Sequence, residues 1–211
     1  MKKGLIITLM ACLVLGAAFA DGLKVGAQAG YGSYNAGLVD EDDAYSFLVV
    51  SQVGFYGAAS LEFDASDAIG LKAEFGVLAP SKAYLTVRSG KDDKAETDEV
   101  PSSALDLKPL FTGYLGLQFN ADLAKTLSLG LGAGLDFTFG GEDDDFNMAI
   151  GAGAETIMAF NLSEGISVNV GGRFGLYFFN TNSDFKESAQ AMGCDYISFS
   201  WKAFAGLTIN L

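Results

Sequence analysis

From residue 22 to the end, apolar side chains fall on every second position of the sequence, and the faces they define differ in kind. In LSLGLGAGLDFTFG (127–140) the odd positions are all apolar, while the even ones are Ser128, Gly130, Gly132, Gly134, Asp136, Thr138 and Gly140. A period of two is that of a strand with two unlike faces. Glycine at alternate positions weakens a strand unless that face must be kept small.

The same alternation predicts eight strands, over 22–33, 46–63, 69–79, 105–120, 127–139, 147–160, 166–179 and 196–211. Each reaches the roughly 9–11 residues that a tilted membrane strand needs. The connections alternate too. DASDA (64–68), NADLAKT (120–126) and NLSEG (161–165) are short polar turns. NAGLVDEDDAY (35–45), the segment 80–104, GGEDDDF (140–146) and NTNSDFKESAQAMGCD (180–195) are acidic and mostly longer. Short turns at one end and long loops at the other are the layout of an outer-membrane barrel.

The apolar face carries no charge in any strand. The opposite face holds Lys24, Lys72, Lys108, Arg173 and Lys202 against Glu62, Glu74, Asp106, Asp136 and Glu155, a balanced set. A soluble barrel would turn its apolar face inward and show water a glycine-rich, thinly charged surface. Inverting the barrel removes that difficulty, because lipid accepts a charge-free band of Leu, Val and Phe. The glycines then line a narrow lumen, where they leave room for long polar side chains. Outward aromatics near strand ends (Tyr31, Phe63, Phe119, Phe139, Phe160 and Phe178) fit interfacial girdles or ordinary β-propensity. Pro109 suits a central strand poorly and marks a bulge or a strand rising beyond the membrane.

The first residues, MKKGLIITLMACLVLGAAFADG, read as a secretory signal peptide cut after Ala20, with the barrel domain occupying 21–211. The short run before Cys12 and the residue Met10 argue against a lipoprotein signal. Loss of Lys2 and Lys3 leaves 11 basic against 26 acidic residues, a net charge of −15, which disfavours a nucleic-acid partner. Cys194 is then the sole cysteine, so no intramolecular disulfide holds the exported chain together.

On this pattern the sequence resembles the small eight-stranded outer-membrane proteins of the OmpA transmembrane-domain, OmpX and OmpW group. The resemblance covers residues 22–211. Their C-terminal assembly signal is similar to YISFSWKAFAGLTINL, although those proteins usually end on an aromatic residue and this chain ends on Leu211. It implies an all-β, antiparallel, up-and-down transmembrane barrel set in outer-membrane lipid, delivered by barrel-assembly machinery and monomeric; with nothing after the eighth strand, no OmpA-like peptidoglycan-binding domain is expected.

Barrel enzymes of the outer membrane imply a histidine base, and the chain has no histidine. A serine without such a base is a poor nucleophile; a Ser–Lys pair or paired carboxylates remain formal options. The glycine runs 130–134 and 151–155 lie within strands, not at the strand-to-helix turns that cradle phosphates. The acidic runs 40–43 and 142–145 lack the spaced ligands of a calcium loop and read as solvated loops. No metal or cofactor is expected.

The expectation is therefore a non-catalytic barrel presenting acidic loops, with a structural or surface-interaction role and an extracellular ligand for those loops as one option. A narrow pore for small solutes is the alternative. Tyr56, Leu78, Leu110, Tyr114, Tyr177 and Phe204 point into the lumen and favour a plug, whereas the glycines favour a pore. Taking each short turn's midpoint as the hairpin centre, Lys108 is set nearly opposite Asp136 and Glu155 nearly opposite Arg173. Such pairs point inward on adjacent strands, where cross-strand side chains touch.

Overall fold

The computed structural model describes residues 22–40, 42, 46–66, 68–101, 107–140, 147–181, 189 and 193–211. The signal-peptide segment, Asp106 and the acidic run 142–145 lie outside them. Nine strands occur in the described residues: β1 (Leu23–Asp40), β2 (Phe47–Ser66), β3 (Ile69–Arg88), β4 (Glu96–Val100), β5 (Leu110–Ala124), β6 (Leu127–Gly140), β7 (Asn147–Ser163), β8 (Ile166–Asn180) and β9 (Cys194–Asn210). Eight of them close an antiparallel ring. β1 pairs with β2 on one side and β9 on the other, and β3 pairs with both β2 and β5.

Following paired residues round this ring, from Gly26 through Ser60, Glu74, Tyr114, Asp136, Gly151, Tyr177 and Ser198, returns the path to β1 at Ala36, ten residues further on. That stagger is the shear by which a sheet of tilted strands closes. The expected eight-stranded barrel is borne out.

Its faces are inverted relative to a soluble protein. Phe55 is 69% exposed and Leu176 54%, whereas Lys72, Asp136 and Arg173 on the other face are at most 3% exposed. Outward rings associate in the surface they share. Phe111 stacks with Phe75 and Phe139 at centroid distances of 6.0 and 5.4 Å, Phe75 and Phe139 lie tilted at 6.2 Å, and Tyr31 meets Phe55 edge-on at 5.6 Å.

The strands overrun their expected ends. Ladder hydrogen bonds do not require an apolar outer face, so pairing continues where the apolar alternation stops. The segment 80–104, expected as loop, instead carries β3 to Arg88 and contains β4, which pairs with β3 from Ala83↔Val100 to Val87↔Glu96. A bulge at Val53/Gly54 reverses the faces of β3 there, and Pro80 sits at the bulge, where a missing N–H is tolerated. Lys82 donates to Glu99 across this hairpin at 3.0 Å, which raises the lysine's pKa.

Two anchors shape the tip between β3 and β4. Gly90 adopts φ +93°, a left-handed conformation suited to glycine. Arg88 holds the turn by donating to the carbonyls of Gly90 and Lys91. Pro101 follows β4 and Pro109 precedes β5, so both lie outside the ladders. Pro109 thus marks the start of a strand, not a break within one.

At the other end all three connections are tight. Lys125–Thr126 and Glu164–Gly165 form the last two, so NADLAKT is mostly strand and not a seven-residue turn.

Candidate functional site

The inward face of the barrel fills its own middle. Arg173 projects from β8, and β3 lies directly opposite in the ring, four strands away in either direction. Its guanidinium crosses the lumen and donates two parallel bonds of 2.6 Å to Glu74. Nε donates to Glu155 on neighbouring β7 at 2.9 Å, and Nη2 also engages that carboxylate. A planar fork with five donors suits such bidentate recognition, which a lysine could not reproduce. The ring of Tyr114 lies against the same guanidinium, 4.2 Å from its centroid.

Lys72 on β3 ties the two carboxylates together from below. Its Nζ is 2.7 Å from Glu155, 3.5 Å from Glu74 and 4.0 Å from Glu62. Glu74 also accepts from the Tyr56 hydroxyl and from Gln28 at 2.7 Å. A second cluster sits beside this one. Asp136 accepts from the Tyr177 hydroxyl at 2.7 Å and pairs with Lys202 at 3.4 Å. Tyr177 also shares its hydroxyl with Thr138 and Ser200. Lys202 lies 5.5 Å from the ring centroid of Tyr56, which joins the clusters. A small apolar group (Tyr56, Leu78, Ile157 and Phe204) packs among them.

The glycines are seats for these side chains. A Cβ on Gly132 would stand 2.9 Å from the Tyr114 hydroxyl, and one on Gly153 would stand 3.2 Å from its ring and 3.1 Å from Asp136. One on Gly171 would meet the Phe204 ring at 2.9 Å. The alternating glycines of β6 to β8 therefore give the wall the depth that arginine, glutamate and tyrosine need in an eight-stranded lumen. Such an interior is just wide enough for side chains to fill.

The structure places the sequence-expected charges as follows. Glu155 and Arg173 are direct cross-strand partners. Lys108 and Asp136 are not: the residue of β5 opposite Asp136 is Tyr114, and Lys108 precedes that strand. The reason is the turn. With its centre at Lys125–Thr126, β5 slides past β6 and Lys108 is carried beyond the position assigned to it. Lys202 is the cation at Asp136. Lys24 turns to Asp64 at the short-turn rim, 2.8 Å away. Asp106 is outside the described residues. The alternation marked the three tyrosines as inward, but it could not identify what each one meets: Tyr56 bonds Glu74 on adjacent β3, Tyr177 bonds Asp136 two strands away on β6, and Tyr114 lays its ring against Arg173 of β8.

No protein-family model matches the sequence, and no curated protein matches it. Similarity appears among solved structures. Neisserial surface protein A superposes with a TM-score of 0.54 at 15% identity, covering 90% of this chain and 97% of that one. The N-terminal β-barrel domain of Pseudomonas aeruginosa OprF gives 0.47 at 10%, covering 91% and 98%. The outer membrane protease OmpT of Escherichia coli gives 0.46 at 9%, covering 92% and 98%. The chain has the fold of the small outer-membrane barrels, as the resemblance in its sequence implied.

Proposed function

Starting from a barrel of this fold with a filled lumen, we propose that the chain is a monomeric outer-membrane protein, exported by its signal peptide, that acts through what it displays and not through transport or catalysis. The observation that carries this reading is Arg173, whose side chain joins opposite walls by two parallel charge-assisted bonds to Glu74 while it also holds Glu155 on the neighbouring strand. With Glu74, Glu155 and Tyr114 it occupies the axis along which a solute would pass. The displayed surface is the acidic loops together with the β3–β4 hairpin. An extracellular ligand of those loops is the partner in this reading, and the final strand is what the assembly machinery would engage. The lack of histidine supports the absence of hydrolase chemistry.

The pore reading draws on one feature, a water-accessible vestibule that enters the lumen from the short-turn end. Planar-bilayer recording separates the two. The closed reading expects no conductance steps from the purified barrel. Regular steps in the unaltered protein would replace it with the pore.

Orientation has its own test. Residues 89–95 form the exposed tip between β3 and β4 and contain Lys91 and Lys94. Trypsin added to intact cells is expected to cut there and leave two membrane-held fragments, as exposed loop tips are the preferred sites of nicking. Cutting only after lysis would place the hairpin on the periplasmic side.

A further inference from the structure

The vestibule at the short-turn end is a cavity of about 490 Å³. Most of its wall is self-sufficient. Ser128 donates to Asp122 at 2.8 Å, Asn161 to Ser128 at 3.2 Å, Ser167 to Asn161 at 2.8 Å and Asn169 to Thr208 at 2.6 Å. The inner end, which abuts the ion-pair cluster, is different.

Gln118 is 7% exposed and donates Nε2 to Asn120 at 3.1 Å, but its Oε1 is buried without a partner. Leaving a buried acceptor unpaired is costly, so such groups call for an explanation. Glu62 is short of positive charge. The cation that register sets opposite it on β1, Lys24, is bound to Asp64. Lys72 reaches Glu62 only at 4.0 Å, being drawn to Glu155 and Glu74. Glu62, Glu74 and Glu155 thus share Lys72 and Arg173, while Lys202–Asp136 and Lys24–Asp64 are balanced pairs. One negative charge is left over among these groups. Gly70, opposite both Asp64 and Gln118, adds no side chain between them. A Cβ there would stand 3.4 Å from Asp64 Oδ1 and 3.8 Å from Asn120 Nδ2.

We propose that this vestibule binds a small aliphatic diamine or polyamine, with one ammonium group seated at the inner end by Glu62 and Gln118 Oε1. The proposal does not depend on what the loops display. An ammonium brings three donors and no acceptor, the complement of an unpaired amide oxygen and an under-neutralised carboxylate. An anion would meet Glu62 with like charge. A bare metal ion would leave most of the cavity unused, whereas a polyamine extends along the amide and hydroxyl wall towards Asp122 and Glu164.

The test is calorimetric titration of the full barrel in zwitterionic micelles with spermidine at about 0.15 M salt, where exposed charges are largely screened. One saturable site is expected, together with a shift of the Gln118 side-chain amide resonance. Glu62→Gln and Gln118→Leu are each expected to weaken binding at least about ten-fold, as loss of a hydrogen bond to a charged group does. Asp92→Asn, in the loop at the far end, should leave it unchanged. Spermidine quaternised by methylation at all three nitrogens, of equal charge but without N–H donors, should lose the same factor on the unaltered protein, so the comparison stands even where a variant fails to fold. Equal affinity for the methylated compound would mean general attraction to an acidic protein and would overturn the proposal. So would binding of sorbitol as tight as that of spermidine, or no binding at all.

Discussion

Arg173→Met is expected to destabilise the barrel by about 3–5 kcal/mol, because it strands Glu74 and Glu155 as buried charges with only Lys72 near both. Arg173→Met combined with Glu155→Leu is expected to recover a substantial part of that loss, although it removes a second native side chain. Lys72 is then left to Glu74 and the more distant Glu62, so the cluster carries the same charge imbalance as in the unaltered protein. A buried ion pair need not stabilise relative to apolar filling, so the sign of the coupling and not the presence of the pair is the informative quantity. Urea unfolding in micelles, arranged as a double-mutant cycle, measures it. Zero coupling would mean that water screens both carboxylates, and the lumen would have to be read as wet.

Gly151→Val is expected to prevent assembly of most of the protein. Gly151 faces Tyr177 at a bulge where β7 and β8 shift register between Ile150 and Gly151. A Cβ there would overlap the Leu176 carbonyl oxygen and stand 2.5 Å from the Tyr177 Cα. Those are backbone atoms, which cannot turn aside as a side-chain tip can, so the ladder itself must move. A loss above about 3 kcal/mol follows for strain of this kind. Gly165→Ala is the control, since no atom lies within 4 Å of a Cβ built at that turn. The readout is the fraction that migrates fast on an unheated denaturing gel. If the valine variant equals the alanine variant, the bulge is not rigid and the account of Gly151 fails.

The sequence announced its ring of strands because lipid-facing positions must stay apolar, and that demand writes a period of two over every span. It was silent wherever strands pair in water. β1 runs on through Asn35 to Asp40 and β3 through Tyr84 to Arg88, with outer faces under no such demand. The ion pairs divide on the same ground. For Glu155 and Arg173 the turn Glu164–Gly165 lies only slightly beyond the midpoint of NLSEG, although Asn161 and Ser163 belong to β7, so counting outward from that midpoint still brings the pair nearly opposite. At NADLAKT the polar residues Asn120 and Asp122 still belong to β5. An error in the hairpin centre is doubled in the register, and Lys108 is displaced accordingly. Contacts across the lumen, such as Arg173 with Glu74, depend on the stagger of the whole ring and cannot be counted from any single turn.

Most neighbouring strands in the ring are also neighbours in sequence; β3 and β5 have only the short β4 between them, and one seam joins the two ends of the barrel chain. β1 meets β9 from Lys24↔Asn210 to Asp40↔Cys194, and the Tyr34 and Ser198 hydroxyls that touch across it are 164 residues apart. Sheets closed by such distant pairings fold slowly, because the entropy of joining the ends is lost before contacts reward it. During that interval β1 and the most recently added strand each present an unpaired edge, and an exposed edge is a template for another chain. A chain of this topology must therefore be kept from its own copies until its last seventeen-residue strand has docked.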